Sequence, residues 1–249
     1  MTKSVIAIIL AAGDGKRMQS TTPKVMSLLH GRPLVDYVVS AVEQAHLSEK
    51  PVIIVSPKHT LVQEFLQDRA DYIIQKEQLG TGHAVGSASD LLKNKFEHVV
   101  VLYGDMPFIR SSSIEGLIVE HESGANTITM ATVVVPNFLD EYRALYSFGR
   151  VVRDSSGKII RSVEMKDASE EEKNIKEVNP CYYCFRSDWL WTHLASLRNI
   201  NAQSEYYLTD LIKIAIDEGQ KISSVSIDPH EAIGINSKED LETAHTLKV

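Results

Sequence analysis

Four strand patterns alternate with four helical patterns along the first half of the chain, and this alternation limits the possible folds more than any other feature. Each strand pattern is a short apolar run, and each helical pattern spaces its apolar residues along one face. The strand patterns are Ser4–Leu10, Pro51–Val55, Asp71–Ile74 and Glu97–Leu102, and the helical patterns are Pro33–Ala45, Lys58–Gln67, Gly82–Leu92 and Ser111–Glu122. Strands that alternate with helices pair in parallel through right-handed crossovers. The sequence therefore predicts an α/β fold, with a Rossmann-like, mostly parallel sheet flanked by helices.

The second half of the chain has a different pattern, in which strands follow one another with fewer helices between them. Asp154–Gly157 is typical of a hairpin turn. The predicted strands are Asn126–Val135, Gly149–Asp154, Lys158–Glu164, Val178–Phe185, Ile222–Ile227 and Ala232–Ile235, and the predicted helices are Ser187–Leu197, Leu208–Glu218 and Lys238–Leu247. The charged segment Asp167–Glu177 favours an exposed loop or short helix. We expect one compact domain over residues 1–249, with a parallel half (1–125) and a smaller antiparallel sub-region (126–249).

Charge and cysteine content narrow the classes of partner. The chain carries 26 basic and 33 acidic side chains, a formal net charge of −7, which disfavours nucleic acid as a partner. No apolar run reaches the roughly 20 residues of a membrane helix, so we expect no membrane partner. Two cysteines exclude a disulfide framework and favour the cytoplasm. We expect a monomer or small homo-oligomer.

A glycine-rich basic loop follows the first strand. It runs Leu10-Ala11-Ala12-Gly13-Asp14-Gly15-Lys16-Arg17-Met18, and Pro23-Lys24 comes shortly after it. The glycines let the backbone approach a phosphate, and Lys16, Arg17 and Lys24 supply positive charge. The spacing matches neither the dinucleotide fingerprint nor the Walker A loop. From spacing alone, a solvated connecting loop remains the alternative.

Three further segments carry candidate binding groups. Gln75 begins the segment Gln75–Ala84, in which Gly80-Thr81-Gly82 opens a helix and Thr81 is a candidate helix cap. The Gln75 amide could pair with the edge of a nucleobase or lie on the surface. Tyr103-Gly104-Asp105 ends a buried strand, where a carboxylate needs a partner such as Mg²⁺, a helix N-terminus or a basic side chain. Asn236 would, on its local sequence, be the N-cap of the last helix.

The glycine loop with Arg17 and Lys24 resembles the signature of the sugar-nucleotide pyrophosphorylases, or sugar-phosphate nucleotidyltransferases. The resemblance extends from Val5 to about Leu241, and the Gln75–Ala84 segment is similar to the uridine-binding segment of the N-acetylglucosamine-1-phosphate uridyltransferases. It implies a nucleotide-diphospho-sugar transferase fold and Mg²⁺-dependent transfer of a uridylyl group from UTP to a sugar 1-phosphate, giving UDP-sugar and pyrophosphate. The implied catalytic residues are Arg17, Lys24 and Asp105, the metal ligands Asp105 and Asn236, and the nucleotide-binding residues Leu10, Ala11, Ala12, Gly13, Gly15, Gln75, Gly80, Thr81, Tyr103 and Gly104.

Four patches in the second half resemble the sugar-binding segments of the same family. The implied sugar-binding residues are Gly149, Glu164, Asn179, Tyr207 and Thr209. Three segments depart from the family pattern: Ser147-Phe148 replaces Gly-Tyr, Met165 replaces His, and Asn179-Pro180-Cys181 replaces Asn-Thr-Gly. The cysteine would narrow the sugar pocket, so glucose 1-phosphate or another amino-sugar phosphate is an alternative to N-acetylglucosamine 1-phosphate.

Two other functions stay open, namely transfer from CTP and binding of a UDP-sugar without turnover. Cys181-x-x-Cys184 lacks the additional ligands of a zinc site and lies in a predicted strand, so we expect no chemistry from it. Hexapeptide repeats, which would build a β-helix acetyltransferase domain, do not occur, and we expect no such domain.

Overall fold

The structure is a computed structural model that describes residues 5–13, 15–18, 22–47, 49–201 and 203–247. Ser4, Asp14 and Ala202, which belong to segments discussed above, lie outside the described residues, as does the Lys16 side chain.

The described residues form twelve strands and nine α-helices. The strands are β1 (Val5–Leu10), β2 (Leu28–Leu29), β3 (Arg32–Pro33), β4 (Val52–Val55), β5 (Asp71–Ile74), β6 (His98–Tyr103), β7 (Ile128–Val134), β8 (Gly149–Arg153), β9 (Ile159–Val163), β10 (Glu177–Asn179), β11 (Tyr183–Arg186) and β12 (Ile222–Ser226). The helices are α1 (Leu34–Gln44), α2 (Leu61–Leu66), α3 (Thr81–Gly86), α4 (Ser89–Leu92), α5 (Ser111–Ser123), α6 (Glu170–Lys173), α7 (Ser187–Leu194), α8 (Asp210–Asp217) and α9 (Lys238–Ala244). Short 3₁₀ turns cover Lys16–Met18, Lys24–Met26, Gln67–Arg69, Asp140–Ser147 and Pro229–Ala232.

The main sheet has the order β5-β4-β1-β6-β11-β7, and β12 pairs with β7. The pairs β5–β4, β4–β1, β1–β6 and β7–β12 are parallel, and β11 is antiparallel to both its neighbours. Strands β10, β8 and β9 extend β7 as an antiparallel sub-region. The predicted α/β fold, with its mainly parallel sheet and smaller antiparallel sub-region, is confirmed.

Helices cover both faces of the parallel strands. In β1, Ala7 and Ile9 belong to one apolar cluster, with residues of α1, α2 and α5, whereas Ile6 and Ile8 belong to another, with residues of α3, α4, α7 and α8. This division follows from the alternation of side chains along a strand. It explains why β1 is apolar at successive positions. None of the helices in the described residues is both long and apolar enough to cross a membrane.

Three predicted elements are wrong in detail. The predicted strand Val178–Phe185 is two strands, β10 and β11, because Cys181 adopts a φ of 66° after Pro180 and interrupts the extended backbone. The predicted strand Ala232–Ile235 is not a strand, and a 3₁₀ turn capped by Asp228 occupies its start. The predicted helix Gly82–Leu92 is divided into α3 and α4 by a turn. The other elements differ from the predictions only at their ends.

Candidate active site

The glycine loop lies at the carboxyl ends of β1 and β6. It leaves β1 beside the segment that follows β6, where the Gly104 amide donates to Leu10 O at 2.9 Å. Gly15 has a φ of 57°, and a Cβ at this position would lie 2.7 Å from the Lys24 Cβ. A side chain at position 15 would therefore push Lys24 away. The loop glycine places the stem of Lys24 directly against the loop backbone.

Lys24 connects two residues that are distant in the sequence. Its ammonium forms an ion pair with the Asp105 carboxylate and donates to Asn236 Oδ1 at 2.8 Å. The side chains of Lys24 and Asp105 are each 14% exposed, so the pair is shielded but reachable from the cavity. Of the three kinds of partner considered for the Asp105 carboxylate, the one present in the structure is a basic side chain, Lys24.

The backbone around Asn236 explains why its side chain is free to face Lys24. Ser237, not Asn236, is the N-cap of α9, and it forms a capping box with Asp240. The Asp240 carboxylate also accepts from the Asn236 amide at 2.8 Å. The Ile235 amide donates to Asp105 O at 2.9 Å, which ties this segment to the end of β6. The interpretation of Asn236 as a helix cap is therefore wrong.

Two adjoining cavities open on either side of this cluster. One has a volume of about 240 Å³ and the other about 600 Å³. The residues lining both are Lys24, Thr81, Tyr103, Asp105 and Glu205. A ligand that bridges the two cavities would therefore pass directly over Lys24 and Asp105.

The smaller cavity contains most of the residues predicted to bind nucleotide. Among the residues that line it are Leu10, Ala11, Ala12, Gly13, Gln75, Gly80, Thr81 and Tyr103. Gly15 and Gly104 are not among the residues that line either cavity: Gly15 lies in the loop against Lys24, and Gly104 packs against the start of the loop at Leu10 and Ala11. Gln78, which the sequence analysis did not select, also lines the smaller cavity and donates to Ala12 O. Its position inside the Gln75–Ala84 segment was the signal that could have identified it.

Gln75 and Gly80 lie side by side in the wall of the smaller cavity. The Gln75 side chain is buried and its amide donates to Gly80 O at 3.3 Å. Gly80 has a φ of 107°, and a Cβ there would lie 2.7 Å from Tyr206 O. Gly80 occupies the N-cap position of α3, and Thr81 is its first residue. The prediction of Thr81 as the cap is therefore wrong, and its hydroxyl instead accepts from the Leu208 amide at 3.0 Å.

The larger cavity contains three of the five predicted sugar-binding residues. Glu164, Tyr207 and Thr209 line it, together with Arg17 at its exposed edge and Asn236. The sequence analysis did not select Met106, Lys166, Asp167, Gln203 and Glu205, which also line it. Gln203 and Glu205 lie a few residues before Tyr207 and Thr209, in one of the four patches that resemble the family's sugar-binding segments, whereas nothing in the sequence distinguished Met106.

Gly149 and Asn179 are not among the residues that line the larger cavity. Gly149 is buried at the start of β8, next to the lining residue Phe148, and pairs with Asn179 of β10. The Asn179 side chain is buried, and both its polar atoms bond to protein groups. Any effect of Asn179 on a ligand would therefore act through the residues that it holds.

Burial also changes the acidity of the cavity wall. It raises the pKa of Glu164, and the hydrogen bond from Thr209 Oγ1, at 2.9 Å, opposes that rise only in part. Burial raises the pKa of Tyr103 well above its usual value, and the nearby Cys181, Glu164 and Asp105 add to the shift. The pKa of Tyr207 rises to about 12, mainly through burial. The tyrosines are thus neutral hydrogen-bonding groups at pH 7.

The donor set at Lys24 fits a hard divalent cation. Asp105 Oδ2 and Asn236 Oδ1 converge on one positively charged atom, the Lys24 ammonium nitrogen. Carboxylate and amide oxygens are suitable protein ligands for Mg²⁺, which takes its remaining ligands from water and phosphate. Within the described residues, no group of three or more His, Cys, Asp or Glu side chains is arranged to hold a metal. A cation here would therefore complete its coordination with water or with oxygens from a substrate.

A groove of about 990 Å³ lies elsewhere, against α1 and the segment 107–112. Although it is larger than either cavity described above, none of the predicted site residues lines it. We place the candidate site at the two smaller cavities, because Lys24, Asp105 and most of the other predicted site residues line them and not the groove.

Comparisons with known proteins identify relatives of this chain. The model of a family described as "MobA-like NTP transferase domain" matches residues 7–205. The bifunctional protein GlmU of Acetivibrio thermocellus is 44% identical over 241 residues, which cover 96% of this chain and 50% of that protein. The GlmU of Clostridium kluyveri is 39% identical over 241 residues, covering 97% and 51%. The chain spans about half the length of the curated relatives that it matches.

The fold is also found among solved structures. A Bacillus anthracis protein described as a glucose-1-phosphate thymidylyltransferase superposes with a TM-score of 0.78. The alignment covers 98% of this chain and 94% of that chain, at 20% sequence identity. A sequence identity of 20% shows only that the two proteins share a fold.

Proposed function

The chain belongs to the MobA-like NTP transferase family, and on this basis we propose that it transfers the uridylyl group of UTP to N-acetylglucosamine 1-phosphate. A phosphate oxygen of the sugar 1-phosphate attacks the α-phosphorus of UTP. A new phosphorus–oxygen bond forms, the bond to the β-phosphate breaks, and pyrophosphate leaves. The products are UDP-N-acetylglucosamine and pyrophosphate.

The observation that carries this proposal is the pair of cavities joined at Lys24 and Asp105. A nucleotide and a sugar phosphate react only if their phosphates meet, and the junction is the part of the site that combines a cation with two hard oxygen ligands. The smaller cavity adjoins the glycine loop, which suits the nucleotide, and the larger cavity suits the sugar. The two halves of the chain, 1–125 and 126–249, would then supply the nucleotide side and the sugar side of a single domain.

The nucleoside would be held by Gln75, Gly80, Thr81 and Tyr103. Gln75 Nε2 contacts Gly80 O at 3.3 Å and His83 Nδ1 at 3.1 Å, so the side-chain oxygen Oε1 would accept from a pyrimidine while Nε2 holds the side chain in place. Gly80 would let its backbone groups approach the ring. The backbone from Leu10 to Gly13, with Gly15 and Gly104 behind it, would surround the phosphates. The similarity of Gln75–Ala84 to a uridine-binding segment favours UTP over CTP.

Arg17 and Lys24 would act on phosphate charge. Arg17, exposed at the edge of the larger cavity, would neutralise the charge that develops on the leaving pyrophosphate. Lys24 would draw the attacking sugar phosphate to the junction. Transfer of this kind depends on positioning and charge neutralisation more than on covalent catalysis.

Asp105 and Asn236 would hold the divalent cation that nucleotidyltransferases of this kind generally use, and we propose Mg²⁺. When bound, Mg²⁺ supplies charge neutralisation at the phosphate oxygens. Lys24 would have to leave its present partners, and its ammonium would then be free to bind phosphate.

Glu164, Tyr207 and Thr209 would bind the sugar hydroxyls from the wall of the larger cavity. Thr209 already orients the Glu164 carboxylate. Gly149 and Asn179 would support this wall from behind. We place the reaction in the cytoplasm because both cysteines are free thiols.

The test is release of pyrophosphate from UTP and Mg²⁺ with N-acetylglucosamine 1-phosphate, glucosamine 1-phosphate and glucose 1-phosphate in parallel, and CTP as the alternative nucleotide. We expect UTP and N-acetylglucosamine 1-phosphate to be the fastest pair. Asp105→Ala should abolish release, while Asp90→Ala, an exposed aspartate of α4, should not. Binding of a UDP-sugar without any release would instead support a non-catalytic binding protein, and activity of Asp105→Ala near the unmodified level would refute the metal assignment.

A further inference from the structure

The chain bends sharply between β10 and β11, at the wall of the larger cavity. Cys181 lies at this bend with a φ of 66°. A side chain in this left-handed region costs roughly 1–2 kcal/mol, and glycine is the residue that avoids the cost. The presence of a cysteine at a position suited to glycine requires an explanation from its surroundings.

Asn179 fixes the bend. Its Oδ1 accepts from the Cys181 amide at 2.8 Å, and its Nδ2 donates to the Tyr183 hydroxyl at 2.7 Å and to Ser162 Oγ at 3.1 Å. The asparagine is 1% exposed, so these bonds are shielded from water. Because the bend is held at both ends, the Cα–Cβ bond of Cys181 has a fixed direction, and the thiol donates to Asn179 O at 3.7 Å.

Cys181 lines the larger cavity together with Pro180, Glu164 and Tyr103. Burial, with a contribution from the Glu164 carboxylate, raises the pKa of the Cys181 thiol to about 12. The thiol is therefore neutral at pH 7 and is a poor nucleophile. What Cys181 contributes to the cavity wall is the volume of its side chain. Cys184, by contrast, is fully buried in β11 and is not among the residues that line the cavity.

We propose that Cys181 is the specificity-determining residue of the sugar cavity and sets the largest ring substituent that the cavity accepts. This inference rests on the proposed function. With the sugar phosphate held at Lys24 and Asp105, as proposed above, the ring would occupy the larger cavity, whose wall includes Cys181 and Glu164. Replacement of cysteine by glycine removes Cβ and Sγ from that wall and opens space beside the ring.

The experiment is a series of side-chain sizes at one position. Cys181→Gly, Cys181→Ala, the unmodified chain and Cys181→Asn have increasing volume, and asparagine is among the residues that best tolerate positive φ. For each, kcat/KM is measured with N-acetylglucosamine 1-phosphate and with glucose 1-phosphate. We expect the kcat/KM for N-acetylglucosamine 1-phosphate, divided by that for glucose 1-phosphate, to fall at least tenfold from the glycine to the asparagine variant. A single methylene in a pocket can change selectivity by that factor.

Ala125→Gly is the matched control, because Ala125 also has a positive φ, 47°, and is not among the residues that line the larger cavity. It relieves the backbone without changing the cavity, and its ratio should equal that of the unmodified chain. A ratio that stays within twofold across the series, in variants with unchanged circular dichroism, would overturn the inference. If the asparagine variant does not fold, the glycine and alanine variants still test it.

The same series distinguishes failure of the inference from failure of the proposed function. No pyrophosphate from the unmodified chain with any sugar phosphate would refute the proposed function. The affinities for UDP-N-acetylglucosamine and UDP-glucose would then be measured by calorimetry across the series. A ratio of affinities that falls with side-chain volume supports the role of Cys181, and a constant ratio or no binding refutes it.

Discussion

Substitution of Lys24 by methionine should have opposite effects on metal binding and on turnover. The Lys24 ammonium lies between Asp105 and Asn236, the two residues that we propose as ligands of a divalent cation. A cation that binds there in the absence of nucleotide must first displace the ammonium. Lys24→Met keeps an unbranched apolar stem of similar length but removes this competitor.

The magnitude follows from the bonds that the cation must break. A hydrogen bond to a charged group contributes about 1.5–3 kcal/mol. We take about 1.5–2 kcal/mol for the two bonds together, because the displaced ammonium regains hydration in a cavity that is open to water. At 1.4 kcal/mol for each factor of ten, Lys24→Met should strengthen cation binding by about 10- to 30-fold. Loss of the ammonium from the reacting phosphates should lower kcat by about 100- to 1,000-fold.

Cation binding is measured by titration of Mn²⁺ without nucleotide, following the paramagnetic resonance signal of the free ion, and turnover by pyrophosphate release with Mg²⁺. Lys213→Met is the control, since it removes the same charge from an exposed lysine that pairs only with its helical neighbour Asp217 in the described contacts. An Mn²⁺ affinity that is unchanged or weaker in a folded Lys24→Met protein would refute the idea that the ammonium occupies the cation position.

Two further predictions follow from backbone strain and from burial. Gly80→Ala should destabilise the fold by about 1–3 kcal/mol and weaken UTP binding, because its Cβ would lie 2.7 Å from Tyr206 O at a φ of 107°. Gly86→Ala in α3 is the control, since its Cβ would meet no atom within 4 Å, and it should lower neither Tm nor the affinity for UTP. Burial raises the pKa of Glu164 above its usual 4.5, so the stabilising effect of the neutral carboxyl is complete below pH 4.5 and is lost as pH rises through the raised pKa. Glu164→Gln should therefore raise Tm at pH 8 by calorimetry, with a gain that shrinks towards pH 4. Glu115→Gln, at an exposed position of α5, is the control and should show no such trend. A gain that instead grows as pH falls would contradict the argument.

The alternation of apolar runs and amphipathic segments was sufficient to predict β1, β4, β5 and β6 and the helices α1 and α2, but not the turn that divides α3 from α4. These elements depend on local periodicity, which a single sequence displays directly. The hairpin of β8 and β9 was equally clear because its turn residues are adjacent in the sequence. The strand predicted over 178–185 failed because its apolar residues continue through Cys181, and only the positive φ at that residue reveals the bend.

The contacts inside the site could not be predicted in the same way. Lys24 is separated from Asp105 by 81 residues and from Asn236 by 212, and spacing alone does not indicate which side chains meet. Asn236 was also ambiguous, since a polar residue before a helix is a common cap. The outcome depended on its neighbour, because Ser237 and Asp240 form the cap and leave the Asn236 side chain available to the cavity.

The strand order supplies the link between fold and site that the sequence pattern lacks. From β1 the sheet extends through β4 to β5 on one side and through β6 on the other, so the direction of strand order reverses between β1 and β6. Helices α1 and α2, which lead through β4 to β5, pack on one face, and α3 and α4, which lead to β6, pack on the opposite face. The segments that follow β1 and β6 lead to α1 and α5, which share one apolar cluster, whereas the segment that follows β5 leads to α3 in the other cluster. In open α/β sheets ligands bind in the crevice at the carboxyl ends of the strands where the strand order reverses, which here are β1 and β6. Lys24 enters this crevice from the β1 side and Asp105 from the β6 side, which is why their ion pair marks the junction of the two cavities.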